Sequence, residues 1–158
     1  MGRITLRVYA DTSVFGGVLD EEFGKASSAF LEQVREGRFE LVVSALVEEE
    51  IAEAPEQVRA IFYELVRRED VLPVTAEALE LREAYLSAGI VGPGRRTDAL
   101  HVAMASVSEC VLIARWNFRH IVHYDKIPQY NAVNIVRGHR SLGIFSPPEV
   151  IGYEEKDL

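Results

Sequence analysis

The chain has 158 residues, 48% of them apolar, with a net charge of −8. That length fits a single domain over 1–158 whose core needs neither disulfides nor a structural metal. The acidic balance excludes a general nucleic-acid coat with a basic face. It does not exclude an enzyme whose clustered acids hold cations while a few local arginines meet phosphates. The single cysteine, Cys110, lies in an apolar context and reads as a small buried hydrophobe, with no internal disulfide. No run nears the roughly 18 apolar residues of a membrane span. Ile4–Tyr9 is too short for a signal-peptide core and carries Arg7, so the cytoplasm is the expected address.

Short apolar runs alternate with amphipathic segments from end to end. Ile4 to Ala10 predicts a strand. Lys25 to Glu36 carries apolar residues at helical spacing, and Gly37 stops it. Phe39 to Val43 predicts a second strand. Ser44 then caps a helix running to about Glu53, and Pro55 opens another through about Arg68. Val71 to Val74 reads as a third, short strand, and Thr75 caps a helix reaching Ala88. Gly89 to Gly94 is the clearest loop, Thr97 a cap for a helix over Asp98 to Ser108, and Val111 to Ala114 a fourth strand. Ile127 to Arg137 is helical, Gly143 to Phe145 a final strand, and Ser146-Pro147-Pro148 a terminal turn. Strands alternating with helices imply a parallel sheet covered on both faces, without repeats or linkers.

Leu6-Arg7-Val8-Tyr9-Ala10-Asp11-Thr12-Ser13 is the most informative stretch. An apolar β-branched run broken by one carboxylate places Asp11 at the strand's carboxyl edge, where open α/β sheets bind ligands. Asp11 also suits the cap of a following helix, and the two roles can coexist because they use different oxygens. Glu50 shares the inner face of its helix with Leu46 and Val47, whereas Glu48 and Glu49 point outward. A glutamate on an inner face needs a partner, which a metal would supply. Asp98 sits in a first helical turn, where the dipole alone accounts for an acid. His101, three residues on, shares its face and reads either as a hydrogen-bonded core histidine or as a site residue. Asn117 follows the fourth strand and would meet Asp11 if that strand neighbours the first. Four oxygen-bearing side chains at one cleft point to a hard divalent cation and phosphate chemistry. Thr12, Ser13, His101, Arg115, Arg119 and His120 are candidate substrate contacts. His123 and Arg95, Arg96, Arg137 and Arg140 carry the same reading beside that of plain surface charge.

The order of these segments resembles the PIN domain. It runs from Tyr9-Ala10-Asp11-Thr12-Ser13-Val14 through Val43-Ser44-Ala45-Leu46-Val47-Glu48-Glu49-Glu50-Ile51 to Asp98-Ala99-Leu100-His101-Val102-Ala103. It ends at Leu112-Ile113-Ala114-Arg115-Trp116-Asn117-Phe118-Arg119-His120-Ile121. The likeness covers nearly the whole chain, and the C-terminal Tyr130–Asn134 and Ser146–Val150 look like those of standalone prokaryotic members near the VapC-type toxins. It implies a three-layer α/β/α sandwich with a central, mostly parallel four- or five-stranded sheet. It also implies a Mg²⁺- or Mn²⁺-dependent ribonuclease, with Asp11, Glu50 and Asp98 as catalytic metal ligands and Asn117 in the last acidic region. An RNA substrate, a small antitoxin protein and a homodimer are the implied partners. Asn117 and His120 depart from the pattern, since many members carry a further aspartate there. A catalytically weak or inactive PIN-fold module binding RNA or protein is the alternative. An aspartyl phosphatase needs a second acid at Ser13, and a dinucleotide fold needs a third spaced glycine after Gly16-Gly17. Repulsion among the clustered carboxylates is expected to raise at least one pKa, so that removing one would stabilise the metal-free protein.

Overall fold

In a computed structural model describing residues 5–116 and 126–151, strands β1 (Leu6–Ala10), β2 (Phe39–Val42), β3 (Leu112–Ala114) and β4 (Gly143–Phe145) form one sheet. The order is β2-β1-β3-β4 and every pairing is parallel. The run Val8-Tyr9-Ala10 is fully buried, which suits a central strand covered on both faces. Tyr9 lies opposite Val42 on one side and Ile113 on the other. The chain leaves β1 for β2 and later returns to β3 on β1's other side. The carboxyl ends of β1 and β3 therefore flank the topological switch point, where open α/β sheets form their clefts.

Among the described residues eight helices flank the sheet, making a three-layer α/β/α sandwich. They are α1 (Thr12–Gly16), α2 (Gly24–Arg35), α3 (Ala45–Ile51), α4 (Glu56–Leu65), α5 (Ala76–Ser87), α6 (Arg96–Val107), α7 (Lys126–Val136) and α8 (Pro147–Ile151). α5 packs on α6 and α7, α2 on α8, and α1 on α3 and α4. Gly37, at φ +79°, follows the C-terminus of α2 as expected of a left-handed stop. Thr75 caps α5 by accepting from the Ala78 amide at 3.2 Å. Cys110 is buried, and that burial pushes its thiol pKa up to about 12, as befits an inert core residue.

Several local expectations need correction. Val71–Val74 is not a strand but a single parallel bridge between Ser44 and Leu72, because Pro73 has no N–H to extend the ladder. Ser146-Pro147-Pro148 is not a turn but the start of α8. Glu149 accepts from both the amide (3.0 Å) and the hydroxyl (2.8 Å) of Ser146, and proline is favoured at the first helical position. Thr97 does not cap α6. A 3₁₀ turn at Pro93–Arg95 runs directly into that helix, placing Thr97 one residue inside it. α4 ends at Leu65 rather than near Arg68, because Val66 is extended.

Gly17 lies where α1 passes into a 3₁₀ turn. A methyl group there would fall 2.8 Å from Trp116 Nε1 and 2.5 Å from Ser27 Oγ. Gly17→Ala is therefore expected to lower stability by about 1–3 kcal/mol through overpacking, read as an earlier urea midpoint. An unchanged midpoint would mean that Trp116 yields freely.

Candidate functional site

β1 runs into Asp11, which is 5% exposed and is the N-cap of α1. Its Oδ1 accepts from the Ser13 amide at 3.0 Å and from the Ser13 hydroxyl. The same hydroxyl accepts the Trp116 amide at 2.8 Å, so Ser13 joins the end of β3 to the end of β1. The Trp116 indole donates to Ser27 at 2.6 Å and packs on Phe23, fixing the other side of that junction. Capping uses Oδ1 alone, so Oδ2 is left for another partner.

That second oxygen lies 3.2 Å from Nε of Arg115, the first residue after β3. Arg115 also reaches Asp98, from the first turn of α6, with Nη2 3.3 Å from Oδ1. Arg95 lies 3.5 Å from the other Asp98 oxygen. One guanidinium thus stands between carboxylates contributed by β1 and α6. Burial pushes the Asp11 carboxyl above its ordinary value, although Arg115, His101 and the Ser13 hydrogen bonds pull the other way. The cause is desolvation rather than the expected repulsion between acids. Burial also works against the charge on Arg115, yet Asp11 and Asp98 outweigh it and leave the guanidinium above its ordinary value. Tyr130 of α7 lies in the field of Asp98, Arg115 and Arg95, and burial is the main reason its pKa rises to about 12.

Glu50 belongs to a second cluster. It reaches His101 Nε2 at 2.9 Å, while its side chain stays 40% exposed. His101 Nδ1 lies 2.7 Å from the Tyr9 hydroxyl, which lies 2.8 Å from Ser44 Oγ. Ser44 occupies the N-cap position of α3 without making a side-chain capping bond, and its hydroxyl meets that of Tyr9 instead. Sequence reasoning missed this role, and the one available signal was a hydroxyl-bearing ring in an otherwise apolar buried strand. Burial, above all, raises the Tyr9 pKa, so the phenol keeps its proton.

Carboxylate oxygens are the donors that a hard divalent cation takes. Two carboxylates converge on one positive group, and that group satisfies them only in part. Arg115 Nε is buried and, despite its 3.2 Å approach to Asp11, makes no aligned hydrogen bond. At Nε charge rather than hydrogen-bond geometry acts, whereas Nη2 donates a hydrogen bond to Asp98. Among the described residues, however, no three His, Cys, Asp or Glu side chains lie close enough together to hold an ion in this arrangement. Asp11 and Asp98 are joined through Arg115, and Glu50 is tied to His101 instead of to them.

The remaining candidates divide clearly. Ser13 and Arg115 are bound into the acidic cluster, and Arg95 stands at its rim. His101, read either as a hydrogen-bonded core histidine or as a substrate contact, is buried with both ring nitrogens engaged inside the protein, which suits the first reading. Thr12 Oγ1 is likewise enclosed, and no partner for it is found among the described residues. Arg96 pairs with Glu83 at 2.7 Å, away from the acids. Asn117, Arg119, His120 and His123 lie outside the described residues. No protein-family model and no curated protein matches the chain.

Proposed function

We propose that this chain is a metal-dependent ribonuclease of the PIN type. The observation that carries the reading is the convergence of Asp11 and Asp98 on a single positive group at the switch point of a parallel sheet. In the metal-loaded protein Asp11 and Asp98 would hold Mg²⁺ or Mn²⁺, with Glu50 approaching from α3. When bound, such a cation would supply an acidified water and charge neutralisation at the phosphoryl oxygens. Ser13 holds Asp11 Oδ1 in place, leaving Oδ2, which now faces Arg115, as the oxygen that would be offered to a cation. Arg95, at the rim, offers a guanidinium to the phosphate of an RNA strand. A toxin role with a small antitoxin as partner belongs to the same reading, since the cleft accommodates an arginine between its acids.

One observation favours a second reading, a PIN-fold module that binds RNA or protein without cutting. Arg115 already neutralises the two acids, and among the described residues no three-ligand group is assembled. Incubation of labelled RNAs with the protein in Mn²⁺, Mg²⁺ or EDTA, beside Asp98→Asn, separates the two. Cleavage in metal that disappears in EDTA and in the variant is the expected result. RNA bound but uncut in every condition would support the module instead.

A further inference from the structure

We propose that a cavity at the amino edge of the sheet binds a small sugar phosphate, free or as part of a nucleotide. Arg137 and Arg140 take the phosphate, and Glu109 takes the sugar hydroxyls. The acid cluster lies at the carboxyl ends of β1 and β3. This cavity lies at the opposite edge, where α6 leads into β3 and α7 into β4. It needs neither a metal nor the acids of the ribonuclease reading.

The cavity measures about 440 Å³, within the range of about 300–1,000 Å³ that encloses a small molecule. Its walls are mainly polar and carry charges that do not cancel one another. In this acidic chain, at −8 net, most described arginines are held in place. Arg35 pairs with Glu32 and Glu64, Arg59 reaches the Ala54 carbonyl, and Arg68 lies over the Tyr63 ring. Arg137 and Arg140 are exposed in the cavity, and neither guanidinium makes an ion pair or hydrogen bond among the described residues. Glu109 lines the same space and is likewise unpaired there, whereas Glu77 faces His139 at 3.7 Å. Acid and guanidinium stand around an open space instead of closing it. Guanidiniums only donate and a carboxylate only accepts, so an occupant that satisfies both carries an anionic acceptor and hydroxyl donors. A phosphate ester of a sugar has that pattern.

The backbone that carries these groups is fixed in advance. Gly138, at φ +84°, turns the chain off α7. The amides of Gly138 and His139 close on the carbonyls of Ile135 and Asn134 at 3.1 and 2.7 Å, so the negative end of that helix is largely satisfied. The fully buried Asn134 accepts from the Tyr85 hydroxyl and donates to Ser106 Oγ at 2.9 Å and to the Arg140 carbonyl at 3.3 Å. Asn131 brackets Leu142 through its amide nitrogen and carbonyl, at 3.1 and 2.9 Å. The carboxyl end of a helix favours nearby arginines by itself, but it gives no reason for Glu109. That residue sits at φ +60°, in the left-handed position closing α6, where glycine is usual and a side chain costs strain. A strained acid kept beside unpaired guanidiniums points to a ligand that uses both.

The test is titration calorimetry on the full chain in EDTA, with ribose 5-phosphate, inorganic phosphate, ribose and adenosine 5′-monophosphate as probes. Ribose 5-phosphate is expected to bind, inorganic phosphate about 10-fold or more weakly, and ribose not detectably. Arg137→Gln and Arg140→Gln each weaken ribose 5-phosphate by about 10-fold or more, the usual effect of losing a hydrogen bond to a charged group. Glu109→Gly separates binding from folding. Glycine suits the left-handed backbone, so the urea midpoint rises, while ribose 5-phosphate weakens by about 10-fold and inorganic phosphate does not. Adenosine monophosphate bound more tightly than ribose 5-phosphate supports a nucleotide as the occupant, and equal or weaker binding supports a plain sugar phosphate. Wild type that binds neither phosphate ester, or binding unchanged in both arginine variants, would overturn the site. Equal affinities for inorganic phosphate and ribose 5-phosphate, or a ratio untouched by Glu109→Gly, would overturn the sugar phosphate as its ligand. RNA cleavage in metal is read separately, so either reading can fail alone.

Discussion

Asp11→Asn is expected to reduce RNA cleavage in Mn²⁺ by about 10³-fold or more, equivalent to roughly 4 kcal/mol of transition-state stabilisation. The substitution keeps the shape of the side chain. Its carbonyl oxygen can still accept from Ser13 and cap α1, so the junction between β1 and β3 survives. What disappears is the negative charge on the oxygen that faces Arg115 and, in the loaded protein, the cation. Cleavage rates of labelled RNA check the loss, and a variant within tenfold of wild type would remove Asp11 from the metal site. The same variant carries a pH signature. Burial raises the folded-state pKa of Asp11 above its ordinary value, so the folded protein holds that proton more tightly than the unfolded chain. Between the two pKa values the unfolded state binds fewer protons, and stability falls as pH rises through that window. Asn at position 11 does not titrate, so this segment of the stability–pH curve is expected to flatten. A variant that failed to fold at all would make Asp11 chiefly a structural cap.

Arg115→Met carries the second large effect, and its sign depends on the metal. In EDTA the variant leaves Asp11 buried without its cation, and removing one partner of a buried pair costs about 3–5 kcal/mol. The expectation that fewer carboxylates would relieve repulsion is therefore replaced. The balance at this cleft is between acids and a guanidinium, and removing the guanidinium is what destabilises. Mn²⁺ is expected to reverse the loss. A cation entering the vacated place no longer competes with Arg115, and a ligand at about 100 times its Kd stabilises the folded state by about 2.7 kcal/mol. The rise in Tm on adding Mn²⁺ is accordingly larger in Arg115→Met than in wild type. Equal rises in the two proteins would mean that arginine and metal do not share a position.

Much of this architecture was legible in the chain. The apolar run into Asp11 marked a central buried strand and its carboxyl edge, and the alternation of strand and helix patterns implied the covered parallel sheet. Those inferences hold because burial on both faces and helical periodicity are local properties of residue order. Short elements were harder to read. α1 is five residues long, too short to show a periodicity, and α8 begins at a Ser-Pro-Pro-Glu whose capping geometry resembles a turn in residue type alone.

The site divides along the same line. Residue order alone determined that Asp11 and Asp98 sit at element ends on one edge; Glu50, expected on the inner face of α3, is instead exposed, because the buried stripe of that helix is Val47 and Ile51 and Glu50 falls beside it. The tertiary structure decided what those acids touch. Strand order brought Arg115 between Asp11 and Asp98, and the packing of α3 and α6 on β1 joined Glu50, His101, Tyr9 and Ser44. These contacts link residues up to about a hundred positions apart. A charge or hydroxyl carries no trace in its own neighbourhood of which distant group will neutralise it, because that is set by how the elements stack.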